Sequence, residues 1–96
     1  MYTYEDLSGQ LAEDVLRFRK QADNCRTSQK QRIRNLGHMV RLIASDIQDR
    51  KGEIRGGEVR LSFSKDAIAQ RLGVAPGTVL EYLKDLRSRE VRYYLS

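Results

Sequence analysis

One stretch limits the possible folds more than any other: residues 64–86, SKDAIAQRLGVAPGTVLEYLKDL. Ala67, Ile68 and Leu72 recur at helical spacing and give a first short helix one apolar face. Ser64 stands at its N-cap position with Asp66 in the first turn, where a side-chain oxygen and a negative charge both answer the unbonded amides. Gly73 ends this helix, because glycine enters the left-handed conformation without steric cost. Val79, Tyr82, Leu83 and Leu86 stripe a second helix. Ala69 is small where the helices would cross, Gly73 supplies the turn, and branched Val79 locks the second helix onto the first. The pattern predicts a crossed pair of the helix-turn-helix kind.

Residues 33–96 extend that unit in both directions. A helix around RIRNLGHMVRLIA precedes it, an extended EVRLSFS leads into it, and an extended VRYYL follows. In these parts, about two thirds of its length, the chain resembles the winged helix-turn-helix domain of Crp/Fnr-type bacterial transcription regulators. The nucleotide-binding β-roll of that family has no counterpart, since the N-terminal third is too short and too helical. The expected fold is therefore mainly α: a winged helix-turn-helix with a small two-stranded antiparallel sheet and an N-terminal helical extension. Residues 1–28 are the expected extension and residues 29–96 the winged domain.

Leu7, Leu11, Val15, Phe18 and Ala22 form one stripe, so residues 4–22 read as a helix. The stripe fits packing on its own domain or pairing with a second copy; the resemblance implies the second, a homodimer through the N-terminal helices. Residues 23–28 break the periodicity, and Ser28 with Gln31 fits a capping box that restarts it. Ile33, Leu36, Val40, Ile43 and Ile47 then make the main packing helix of the domain, over residues 29–50. Gly56-Gly57 signals a turn. Val59, Leu61 and Phe63 alternate with polar residues, as do Val91, Tyr93 and Leu95, so two half-buried strands are expected to pair antiparallel.

Charge narrows the partners. The chain has 96 residues, 32% of them charged, and a net charge of +5, which favours an anionic partner, of which nucleic acid is the usual one; the resemblance makes duplex DNA the expected partner. Basic residues crowd positions 17–41 against one acid, Asp23. Cys25 is the only cysteine and His38 the only histidine, so no cysteine-based metal site, cofactor or internal disulfide is expected. There is no Gly-rich phosphate loop and no Ser/His/Asp set, and Asp46, Asp49 and Glu53 read as solvated acids at a helix end; an enzyme is not expected. The first residues, MYTYEDLSG, carry no basic segment before an apolar run and nothing approaches membrane-spanning length, so a cytoplasmic setting is expected.

In a helix-turn-helix the start of the second helix meets base edges in the major groove. Its outward positions here are Ala75, Pro76, Gly77, Leu80, Glu81 and Lys84. Pro76 and Gly77 offer bases no side-chain donor or acceptor, and Leu80 can touch only a thymine methyl. Thr78 and Glu81 fit a capping box that would start the helix three residues late, and Thr78 can otherwise donate to phosphate. Phosphate contacts are better supplied, by Lys65, Lys84, Arg87, Arg89 and Arg92, with Arg32 and Arg34 from the basic run. The expected function is DNA binding, as a small transcriptional regulator or a replication or partition accessory factor of a bacterium or phage. The competing reading is a winged-helix protein-interaction module using the apolar face of Ala75, Pro76, Gly77 and Leu80.

Overall fold

A computed structural model describes residues 3–86 and 91–96. The element order is α1 (Tyr4–Asn24), α2 (Lys30–Gln48), β1 (Glu53–Arg55), β2 (Glu58–Arg60), α3 (Lys65–Leu72), α4 (Pro76–Asp85) and β3 (Arg92–Tyr94). The protein is thus mainly helical with a small three-stranded sheet.

Thr3 starts α1 with a capping box: its side chain accepts from the Asp6 amide, and Asp6 accepts from the Thr3 amide. The stripe then works inside the molecule. Leu7, Leu11 and Phe18 are buried in one core with Leu36, Met39, Val40, Ile43 and Ile47 of α2. Each fully buried side chain of this size contributes about 1.5–3 kcal/mol. Packing on α2 uses the surface that pairing with a second copy would need, and only Leu16, 63% exposed, is left outside as a large apolar residue of α1.

The restart at α2 differs from expectation. Ser28 makes no cap; Gln29 is the N-cap residue and has no side-chain cap bond. Thr27 takes the local role instead, its hydroxyl oxygen accepting from the Gln29 amide at 3.2 Å. At the other end of α2, Arg50 adopts a left-handed conformation (φ 58°), which costs a non-glycine residue about 1–2 kcal/mol. Its guanidinium lies over the Tyr4 ring at 4.2 Å and donates to Glu5 at 2.7 Å. The same contact holds the Glu5 carboxyl below its ordinary range.

The sheet corrects the strand pairing. β1 and β2 form an antiparallel hairpin across Gly56-Gly57, with Gly56 at φ 58°. β3 then adds to the other side of β2 in parallel register, Val59 opposite Tyr93, giving the order β1-β2-β3. The expected two-stranded antiparallel pair is therefore not formed. The reason is topological: α3 and α4 lie between β2 and β3 and act as a crossover, which returns the chain in the direction it left. Burial still follows the alternation, with Val59, Leu61 and Val91 buried and Phe63, Tyr93 and Leu95 half-buried. The pairing runs on past the end of β2, with the Leu61 amide donating to the Tyr94 carbonyl at 2.8 Å and the Ser96 amide to the Phe63 carbonyl at 3.1 Å.

Asp46 is the second correction. It is 3% exposed, not solvated. Its carboxylate accepts from the Ser62 amide at 3.1 Å and from the Ser62 hydroxyl. Its carbonyl accepts from the amides of Lys51 and Gly52. The Tyr4 hydroxyl donates to the Gly52 carbonyl at 3.1 Å. This knot ties the start of α1, the end of α2, the hairpin and the lead into α3 to one another. No helix among the described residues is long and apolar enough to cross a membrane.

Candidate nucleic-acid interface

The residues that start and stop α3 and α4 set the candidate surface. Ser64 caps α3, accepting from the Ala67 amide at 3.2 Å. Gly73 closes α3 at φ 68°, and the next amide, of Val74, reaches back to the Ala69 carbonyl. Ala75 is the N-cap residue of α4 and Pro76 its first helical residue, where a missing N–H leaves nothing unsatisfied. The later start through a Thr78–Glu81 capping box is not used: α4 has no side-chain cap, and the Thr78 amide bonds the Ala75 carbonyl at 3.0 Å.

Three inward residues fix the face that α4 turns out. Val79, Tyr82 and Leu86 are buried in the core. Tyr82 also carries a polar link. Its hydroxyl accepts from Asn35 of α2 at 3.3 Å, and Asn35 accepts from Gln31 at 3.0 Å. One turn away Arg32 of α2 pairs with Asp85 of α4 and lies over the Tyr82 ring at 5.9 Å. Asn35 is buried among apolar residues, so this link sets the position of α4 as well as adding stability. Sequence periodicity gave no sign of it, since a polar residue beside the α2 seam reads as surface.

With the inner face fixed, Ala75, Pro76, Gly77, Leu80, Glu81 and Lys84 are all exposed, and Thr78 is half-buried. Leu80 is 43% exposed. Lys65, at the start of α3, and Arg92, on β3, are exposed as well. Arg87 and Arg89 lie outside the described residues. The two cations expected from α2 part company. Arg32 is engaged with Asp85. Arg34 lines a cleft between α1 and α2 instead. The basic run of residues 17–41 is therefore not one continuous stripe beside α4.

A second cleft, of about 220 Å³, lies between the end of α2 and the start of α3 and is floored by Asp46 and Ser62. Those two groups already satisfy each other, which makes the cleft part of the architecture. Cys25 is half-exposed beside Thr27. The Thr27 hydroxyl oxygen accepts from Gln29, so its own proton is available to the sulfur, and that hydrogen bond lowers the thiol pKa, with a smaller contribution from the Lys30 charge. Among the described residues no group of His, Cys, Asp and Glu is placed to hold a metal ion. No family model, curated protein or solved structure matches this chain.

Proposed function

We propose that the α3–α4 pair docks on duplex DNA as the helix-turn-helix of Crp/Fnr-type regulators does, and that the protein acts as a small transcriptional regulator or as a replication or partition factor. One observation carries the reading. α3 is capped by Ser64 and closed at left-handed Gly73, and α4 then presents an exposed first turn in place of an inward one. In this reading the first turn of α4 enters the major groove. Lys65, Lys84 and Arg92, together with Arg87 and Arg89 from the sequence, meet phosphates on either side. Arg32 and Arg34 are left out of the contact set. The α1 stripe packs on α2 within one chain, and the contacts named here are those of one copy.

The outer face of α4 offers few base-reading groups, so affinity should come mainly from counterion release. Titration of a duplex at several salt concentrations tests this. Binding should weaken linearly in log-log form, and Lys84→Ala should reduce the slope by about one unit, the share of a single neutralised phosphate. Absence of binding at low salt, or a flat salt response, would reject the proposal.

Leu80 favours a second reading. A large apolar side chain exposed beside Ala75, Pro76 and Gly77 suits a protein-binding face. Lys84→Glu should abolish duplex binding under the first reading, whereas Leu80→Asp should abolish capture of a protein partner under the second.

A further inference from the structure

The cleft between α1 and α2 takes no part in the DNA reading, and it is built differently. It encloses about 210 Å³. Val15, Phe18, Ala22 and Ile33 form its floor, which stays open at Gly37 for want of a side chain. Its rim carries Arg19, Arg34, His38 and Arg41 against the single acid Asp23. Arg19, Arg34 and Arg41 are exposed, and none is ion-paired among the described residues.

The two halves of this site ask for one kind of occupant. Guanidinium groups favour carboxylates or phosphates in bidentate geometry. A phosphate backbone, however, would leave the apolar floor uncovered. The volume is below the roughly 300 Å³ at which small-molecule pockets begin, and suits one or two apolar side chains. The lining runs from Val15 to Asp23 on α1 and from Ile33 to Arg41 on α2, a length of roughly 12 Å or two helical turns at about 1.5 Å per residue. These are the dimensions of helix-in-groove recognition.

We propose that this cleft docks an acidic amphipathic helix of a partner protein. Its apolar side chains lie on Val15, Phe18, Ala22 and Ile33, and its flanking carboxylates on Arg19, Arg34 and Arg41. No α4 residue lines the cleft, although Phe18 and Ile33 also border the neighbouring cleft that reaches Asp85. On α2, Arg34 sits about 200° around the helix from Arg32, which holds α4, so the docked helix and α4 lie on opposite sides of α2. A partner seated here leaves the α4 face free.

The probe is a fluorescent peptide of about 15 residues, long enough to hold a helix, with leucines at i, i+4 and i+7 and glutamates beside them. A scrambled peptide of equal composition lacks the stripe. Titration uses the full chain, read by anisotropy and by amide NMR shifts. The striped peptide should bind at least about tenfold more tightly than the scrambled one, and should shift the amides of Val15, Ala22, Ile33 and Gly37. The double variant Arg34→Glu/Arg41→Glu should weaken it by about tenfold or more, with Arg34→Gln/Arg41→Gln in between. Gly37→Leu, which fills the cleft while improving helix propensity, should abolish binding. Equal binding of both peptides would reduce the effect to charge attraction and overturn the proposal. So would absence of peptide binding, or a DNA duplex that shifts the same amides and displaces the peptide, or a dimer that Gly37→Leu dissociates.

Discussion

Gly52→Ala tests the knot that holds the α3–α4 pair against the rest of the molecule. A Cβ added at Gly52 would lie 2.5 Å from Oδ2 of Asp46, 3.2 Å from the Arg60 carbonyl oxygen and 3.2 Å from Cδ1 of Ile47. The first distance is well inside contact, so something must move. One route swings the Asp46 carboxylate away and breaks its two bonds from Ser62. Hydrogen bonds to a charged group contribute about 1.5–3 kcal/mol each, part of which returns when water replaces them. The other route shifts the main chain at Gly52, which breaks the bonds from Lys51, Gly52 and Tyr4 and strains β1. Either route costs about 2–4 kcal/mol.

Urea unfolding followed by circular dichroism reads that cost, and for a domain of this size the melting temperature should fall by about 10–20 °C. Asp46→Ala supplies the control. With the carboxylate gone, only the two tight contacts at 3.2 Å remain, so adding Gly52→Ala should cost less than about 1 kcal/mol. Wild-type stability of Gly52→Ala would refute the reasoning, and so would strict additivity of the two substitutions. The functional consequence follows from Ser62, which lies two residues before the cap of α3. Where Gly52→Ala remains folded, its affinity for duplex should fall although no proposed contact has been touched.

Three further outcomes are expected. Gly73→Ala forces alanine into φ 68° with open space around the added Cβ, so its cost is purely conformational, about 1–2 kcal/mol by denaturant midpoint, with Gly73→Asn milder. Tyr82→Phe removes one neutral hydrogen bond and should cost about 0.5–1.5 kcal/mol, while a double-mutant cycle with Asn35→Ala should return a coupling of about 0.5–1 kcal/mol; zero coupling would mean that the Asn35–Tyr82 link is not made. Thr27→Val removes the hydrogen bond that favours the Cys25 thiolate, so the pH at which iodoacetamide reaches half its limiting rate should rise relative to wild type, and an unchanged profile would refute that contact.

The sequence made the helices legible because their signals are local. Ser64 and Gly73 act within a few residues of themselves, and the structure places each where its own chemistry sends it, whereas the Ser28–Gln31 and Thr78–Glu81 boxes, equally local, are not used. Strand direction was not legible in the same way. Alternation says which side of Val59 and Tyr93 is buried, but direction depends on what joins the strands, and here a helix pair does. Asp46 and Asn35 escape a sequence reading for a related reason: their partners, Ser62 and Tyr82, are distant in sequence, and an isolated polar residue near a helix seam carries no mark of burial. Arg32 and Arg34 show how coarse a charge run is. Two residues apart on a helix, they face nearly opposite ways, and one is spent on Asp85 while the other borders a separate cleft.

That divergence explains how one helix serves several surfaces. The apolar side of α2, through Leu36, Val40, Ile43 and Ile47, belongs to the common core. Arg32 and Asn35 hold α4, and Arg34, His38 and Arg41 border the α1 cleft. A change on one side need reach another only if it displaces the helix, and a helix packed on several sides resists displacement because its interior contacts are close-packed. Charge reversal at Arg34 and Arg41 should therefore leave the Asn35–Tyr82 coupling intact, while Arg32→Ala, on the opposite side, should loosen the end of α4 without altering peptide binding in the cleft. Amide exchange on α4 in both variants measures this separation. Faster exchange there after reversal at Arg34 and Arg41 would mean that the two faces are mechanically joined, and that occupancy of the cleft reaches the proposed DNA-contacting helix.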